Sequence, residues 1–223
     1  MLNNAMAYGH CVGYVQEQEG RLIQSIFPVR KTESDQISTS SRVQLELHTE
    51  TAFHPYRPDY VLLLCLRGDP KAATTYAEVH NIIKHLDKNT INILLREEFT
   101  TSVDQSFRLN GEPDEDRRIS VLREDADGRY FITYDAELTR GTSRETDAAL
   151  VRLADAVVAS IKTVTLRGGD LLVLDNARVV HGRTPFAPRY DGTDRWLLRS
   201  FVVRDLPPFS ERRGNIITTE FGT

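Results

Sequence analysis

Val43-Gln44-Leu45-Glu46-Leu47-His48-Thr49-Glu50 alternates apolar and polar side chains and ends on a histidine and a glutamate two residues apart. Alternation of this kind is the mark of a strand with one face buried. On a strand, residues i and i+2 point to the same side, so His48 and Glu50 are expected to converge. The chain has six histidines and 32 acidic residues, enough for one such triplet to arise by chance, and it does hold a second, His85-Leu86-Asp87. There the run Asn81-Ile82-Ile83-Lys84-His85-Leu86 reads as helix, and helical residues two apart do not face each other. His85 and Asp87 are therefore not expected to converge.

Working outward, most of the chain reads as short strands. Residues 12–16 and 22–29 pattern as a pair turned at Glu19-Gly20, and Tyr60–Arg67 is apolar enough to be central in a sheet. Residues 74–77, 106–109, 118–122, 130–134, 170–174 and 178–181 and Trp196–Val203 complete the set, with the acidic stretch 111–116 as a loop. Residues 78–98 read as helical. The clearest helix is expected over about 143–164, behind a capping box at Thr142-Ser143-Arg144-Glu145. Its apolar stripe is Leu150, Leu153, Ala154, Val157, Val158 and Ile161, and it is expected to pack on a sheet. Many short strands with one long helix predict a mainly β fold with flanking helices, a double-stranded β-helix (jelly roll, cupin-like). The length of 223 residues predicts a single domain over 1–223.

The net charge is −4, and no basic tract points to nucleic acid. The longest apolar run, residues 61–66, is far too short to span a bilayer. Residues 1–5 show no basic segment leading into an apolar one, so no signal peptide is expected. Of two cysteines, Cys65 lies inside the apolar strand and reads as a buried thiol, and nothing demands a disulfide. A cytoplasmic location is the default expectation.

Downstream stand His181 and Arg195. Two imidazoles and one carboxylate can occupy one face of an iron octahedron and leave the other positions open, the facial triad of non-haem Fe(II) oxygenases. Arg195 would then be a fork for the far carboxylate of a keto-acid cosubstrate. Taken alone, His181 reads more readily as a hydrogen-bonded core histidine than as a ligand. Arg195 lies in Arg195-Trp196-Leu197-Leu198-Arg199-Ser200-Phe201, an apolar strand context in which an arginine needs a partner. Arg199, four residues on, shares its face.

The run from His48 through Phe53-His54-Pro55-Tyr56-Arg57-Pro58-Asp59-Tyr60 to Arg67 resembles the iron segment of the clavaminate synthase-like 2-oxoglutarate oxygenases, nearest in kind to the arginine and asparagine 3-hydroxylases. Residues 169–201, with Asp175-Asn176-Ala177-Arg178-Val179-Val180-His181-Gly182-Arg183, resemble their second iron segment. The likeness covers nearly the whole chain, in order, although members usually carry a further N-terminal part. It implies Fe(II) held by His48, Glu50 and His181, with 2-oxoglutarate on Arg195 and on Thr74 or Thr75, and O2 as co-reactant. It implies a free amino-acid substrate with its α-carboxylate on Arg199 and its α-amino group near Glu17 or Gln18. Ser38 and Ser40 would face the substrate backbone. Asp135, with Glu137 two residues on, would suit a cationic side chain, so arginine is expected first and asparagine second. The expected reaction is hydroxylation of an unactivated carbon, C3 in the resembled enzymes, with release of succinate and CO2. Related halogenases lack the carboxylate, so Glu50 favours hydroxylation. The oligomeric state is left open.

Two other readings compete. Zinc also accepts two histidines and a carboxylate, but the chain has no His-Glu-x-x-His, and a hydrolase gives Arg195 no role. A non-catalytic cupin-like binding protein is the reading from a different class. Anaerobic addition of Fe(II) and 2-oxoglutarate separates all three.

Overall fold

In the computed structural model of the chain, which describes residues 1–104, 107 and 116–221, Tyr60–Arg67 runs through the interior of the larger sheet. The strands in chain order are β1 (His10–Tyr14), β2 (Gln24–Ile26), β3 (Leu45–His48), β4 (Tyr60–Arg67), β5 (Thr74–Glu78), β6 (Phe99–Thr101), β7 (Arg117–Ile119) and β8 (Leu122–Glu124). They continue as β9 (Tyr130–Ile132), β10 (Thr139–Gly141), β11 (Lys162–Val164), β12 (Leu171–Asp175), β13 (Val179–Arg183), β14 (Trp196–Val203), β15 (Arg212–Arg213) and β16 (Ile216–Ile217). The helices are α1 (Leu2–Ala5), α2 (Val79–Ile82), α3 (Lys88–Leu94) and α4 (Arg144–Ala159).

The larger sheet has the order β12-β4-β14-β1-β16-β15, with β2 also on β14. The facing sheet has the order β11-β5-β13-β3. Together they make the expected jelly roll. Alternation on β14 separates its two faces. Leu197, Phe201 and Val203 join the core between the sheets with Val61, Leu63 and Cys65 of β4, while Val202 packs outward with Leu62, Cys11 and Ala5. Ala77 and Val180 of the second sheet share a hydrophobic cluster with Ala149, Leu153, Ala156 and Val157 of α4, which packs chiefly on α3, β10 and α2. Helix-facing Val180 is thus followed by His181 on the opposite side.

Several local expectations shift. The pair expected at 12–16 and 22–29 does not form: β1 and β2 both add to one edge of β14, His10–Val12 against Phe201–Val203 and Gln24–Ile26 against Leu197–Arg199. An eight-residue strand has room for both, and the positive φ of Gln18, Glu19 and Gly20 redirects the chain between them. The long helix ends at Ala159, and β-branched Thr163 and Val164 go on as β11 against β5. Its N-cap is Ser143, with Thr146 rather than Glu145 closing the capping box. Val158, placed on the apolar stripe, is 67% exposed. The helical stretch 78–98 breaks at 83–87, where Asp87 caps α3 by accepting from the Thr90 N–H. The strand expected at 118–122 is instead two, β7 and β8, parted at residues 120–121. The strand expected at 106–109 and the loop at 111–116 lie outside the described residues, except Phe107 and Asp116. Cys11 and Cys65 are buried free thiols. Among the described residues no helix is long and apolar enough to cross a membrane.

Candidate metal centre and cosubstrate pocket

A cavity of about 590 Å³ opens between the two sheets, with Leu63, Leu197, Arg195 and Arg199 from the larger and Thr74, His48, His181 and Arg183 from the smaller. Register brings the histidines together: His48 on β3 pairs directly with His181 on β13, and their ring centroids lie 4.6 Å apart. Between His181 and Arg183 the β3 register slips by one residue. Gly182 permits the close approach there, because a Cβ would overlap the Leu45 carbonyl oxygen. One ligand atom from each of His48, Glu50 and His181 lies within 4.8 Å of the others. Glu50 Oε2 is 3.4 Å from His181 Nε2 and 3.9 Å from His48 Nε2. His48 Nδ1 is 2.8 Å from the Glu46 carbonyl, so it carries a proton, and Nε2 is the ring nitrogen that faces the cluster.

Glu50 is held from behind by a residue that the sequence did not single out for a role. Buried Asn176 accepts from the Glu50 N–H at 2.7 Å, and its amide donates to the carbonyls of Glu50 and Pro58. The Glu50 carboxyl is buried, which alone would raise its pKa. Arg199 and the two imidazoles outweigh burial and hold it well below the ordinary carboxylate range. Burial pulls His48 down, but Glu50 more than compensates and lifts it to about 9. His181 is lowered, by burial first and then by His48. Two imidazoles pressed on one carboxylate, one ready to stay neutral, are a donor set suited to a divalent cation.

Arg195 is 7% exposed and makes no hydrogen bond or ion pair among the described residues. Burial, offset only weakly by Cys65 and Asp69, lowers its pKa to about 10. A buried guanidinium without an anion costs several kcal/mol, so its place at the cavity wall calls for an anionic ligand. The register resolves the two threonines. His181 pairs with Tyr76, so Thr74 shares that face and lines the cavity, while Thr75 alternates to the other side. Arg183, which sequence reasoning missed, is also buried at this wall. It is spent on backbone and hydroxyl oxygens, donating to Ser40 O, Ser40 Oγ and Val43 O. The rule that flagged Arg195, an arginine inside an apolar strand, applies equally to Arg183.

At the other end, Arg199 donates to Glu50 Oε1 at 2.9 Å, to Glu17 Oε2 at 2.5 Å and to Gln24 Oε1 at 2.9 and 2.6 Å. Glu17 and Ser38 line the cavity. Gln18 also lines it, but its side-chain amide is spent on the backbone of Ser25. Ser40 does not line it, because its hydroxyl is taken by Arg183 and Ile37 O. Asp135 sits beside His48 through a backbone bridge, and its Oδ1 accepts from the N–H groups of Glu137 and Leu138. Glu137 is exposed at the rim.

The second acid beside Asp135 is Asp104, for which the sequence carried no signal. Burial, then the nearby Asp135, push its carboxyl up from 3.8 to about 6. Between about pH 4 and about pH 6 the folded chain keeps a proton that the unfolded chain has lost, so this group lowers stability as pH rises through that window. Asp104→Asn is expected to flatten the fall, read as melting temperature against pH. An unchanged slope would place the carboxyl in water.

Comparison with known proteins agrees with this geometry. The family profile described as "Taurine catabolism dioxygenase TauD, TfdA family" matches residues 4–201. An L-lysine 3-hydroxylase of Catenulispora acidiphila is 39% identical over 200 residues, covering 88% of this chain and 56% of its own. The structure of an asparagine oxygenase in complex with Fe(II), 2S,3S-3-hydroxyasparagine and succinate superposes with a TM-score of 0.90 at 35% identity, over 98% of this chain and 69% of the other. The non-heme iron oxygenase OrfP in complex with Fe, succinate and (3S)-hydroxy-L-Arg gives a TM-score of 0.84 at 32% identity, over 98% and 70%. The chain spans 56% to 66% of the length of four curated relatives it matches.

Proposed function

The chain belongs to the taurine catabolism dioxygenase TauD, TfdA family, and from that premise we propose that it is an Fe(II)- and 2-oxoglutarate-dependent oxygenase hydroxylating a free L-amino acid. The observation that carries this is the juxtaposition of two features in one cavity: the His48, Glu50 and His181 ligand atoms, and the buried guanidinium of Arg195, which meets no carboxylate among the described residues.

His48, Glu50 and His181 would hold Fe(II) on one face. Arg195, with the Thr74 hydroxyl beside it, would grip the C5 carboxylate of 2-oxoglutarate. Bound iron supplies the activation of O2, coupled to conversion of 2-oxoglutarate to succinate and CO2, so that one oxygen atom enters a substrate C–H bond. The chain's own residues orient and shield. Asn176 fixes the backbone of Glu50, and Arg199 ties down Oε1, so that Oε2 faces the imidazoles. Leu63, Leu197 and Ile26 give the cavity an apolar wall that would exclude water.

The substrate end favours an α-amino acid with a cationic side chain, arginine-like first and asparagine second, attacked at C3. Arg199 is the carboxylate anchor. Asp104 and Asp135 supply negative charge for a guanidinium or ammonium, with Glu137 at the rim and Ser38 beside the backbone. The relatives named above support this choice, since one is a lysine hydroxylase and the complexes hold hydroxylated asparagine and arginine.

The direct test is anaerobic. Fe(II) and 2-oxoglutarate together should give a weak visible charge-transfer band, and a panel of free amino acids should then be screened for succinate by mass spectrometry. No band would leave the cupin-like binder or the zinc hydrolase. Asp135→Asn is expected to lower turnover of arginine or lysine by ~10-fold or more, as loss of a charge-assisted contact does. Uncoupled 2-oxoglutarate consumption should change little. Equal losses in both would place Asp135 at the metal rather than at the substrate.

A further inference from the structure

A second cavity, of about 450 Å³, borders the segments that hold Glu50 and shares no lining residue with the first. Ala177 on its wall follows Asn176, and Arg57 precedes Pro58, whose carbonyl Asn176 holds. The β8–β9 pair builds another side. Arg123 and Phe131 are register partners, and the guanidinium lies over the ring, 4.0 Å from its centroid. Leu122 and Ile132, the next pair along, are buried and with Leu95 give the cavity an apolar floor.

The two cations of this cavity have no anion. Arg57 is half-buried, and its one hydrogen bond among the described residues is a long contact of 3.4 Å to the Ala52 carbonyl. Asp59, two residues on, is already taken by Arg204, which donates to it from its backbone and its guanidinium. Arg123 makes no hydrogen bond or ion pair among the described residues. Burial, then the like charge of Arg123, pulls the pKa of Arg57 down. The one carboxylate on the described wall, Glu124, is exposed beside Tyr130. Ser120 and Thr133 line the cavity with hydroxyls that no described residue engages.

We propose that this second cavity binds a phosphate monoester with a small apolar body, its dianionic head shared by Arg57 and Arg123. Two unpaired guanidiniums line one cavity in a chain whose net charge is −4. A single group carrying roughly two negative charges answers both, whereas a carboxylate leaves one unanswered. Planar forks meet phosphate oxygens two at a time, and the Ser120 and Thr133 hydroxyls are donors for a remaining oxygen. Stacking on Phe131 fixes the plane of Arg123 before any ligand arrives, so less freedom is lost on binding. Arg178 lies over the same ring at 5.3 Å but stands beside Asp175, at 3.8 Å, and is not needed for the head. The ester's carbon side packs on Leu95, Leu122 and Ile132. The site stands independently of the oxygenase chemistry.

The test is calorimetry with phenyl phosphate, on wild type and on Arg195→Met, which lacks the other buried guanidinium without an anion. One saturable event with a Kd on the order of 1 mM is expected in both. Phenyl sulfate has the same shape with one charge, and inorganic phosphate has the same head without the apolar body. Each should bind ~10-fold more weakly than phenyl phosphate. Arg57→Gln and Arg123→Gln should each weaken phenyl phosphate by ~10-fold or more. Arg123 is an exposed residue, so its variant decides the matter even where Arg57→Gln fails to fold. Equal affinity for the sulfate overturns the dianionic head, and equal affinity for inorganic phosphate overturns the apolar body. Loss of binding in Arg195→Met, or undiminished binding in Arg123→Gln, overturns the site itself. So does the absence of saturable heat in wild type at ~10 mM ligand.

Discussion

His181→Ala is expected to abolish Fe(II)-dependent stabilisation of the chain. Ligands that bind only the folded state raise its melting temperature in proportion to the logarithm of concentration over Kd. Wild type should therefore melt at a higher temperature with Fe(II) under argon than without it, and His181→Ala should show no such rise. The loss in affinity should exceed the ~10–100-fold seen when a supporting residue of a metal site is removed. The metal-free variant should still fold. His181 is lowered in pKa by burial and by the adjacent His48, and its Nδ1 is buried with no hydrogen-bond partner among the described residues. Its removal costs little that the metal does not supply. His85→Ala is the control, since His85 is exposed on the turn before α3. Unchanged Fe(II) stabilisation in His181→Ala would sink the ligand assignment.

What was legible in the sequence is what depends on local geometry. Strand alternation marks β3 and β14 and puts His48 and Arg199 on their cavity faces, because strand period is a property of the backbone alone, whereas Glu50 lies in the turn beyond β3 with its backbone held by Asn176, and Arg195 stands one residue before β14. Pairing is not local. Residues around 12–16 and 22–29 carry equally good strand patterns, and only the length of β14 determines that both lie along its edge. Thr74 and Thr75 cannot be told apart by composition, and the pairing of His181 with Tyr76 is what turns Thr74 inward. Asp104 follows Thr100-Thr101-Ser102-Val103, a stretch without helical or strand periodicity, so nothing nearby marks its burial. Asn176 acts through backbone contacts of Glu50 and Pro58, residues 118 and more positions away. Side chains that serve a site by holding another segment's backbone leave no periodic trace.

Arg195→Met is expected to change stability and cosubstrate binding in opposite directions. In the folded chain the guanidinium is buried, has no ion pair or hydrogen bond among the described residues, and is lowered to about 10 by that burial. Replacing such a charge by an apolar side chain of similar length removes a desolvation cost, a change that stabilises by ~1–4 kcal/mol in comparable cases. The melting temperature without 2-oxoglutarate should therefore rise. With the cosubstrate the order reverses, because two charge-assisted hydrogen bonds to the C5 carboxylate are lost, and the Kd should increase by ~10²-fold or more. Arg195→Lys separates charge from shape. It keeps the cation but loses the planar fork, so the apparent KM for 2-oxoglutarate should rise more than the KM for the amino acid. A larger rise for the amino acid would move Arg195 to the substrate. A fall in ligand-free stability in Arg195→Met would mean that the guanidinium has a partner in the folded chain, and its claim on a dicarboxylate would then lose its physical basis.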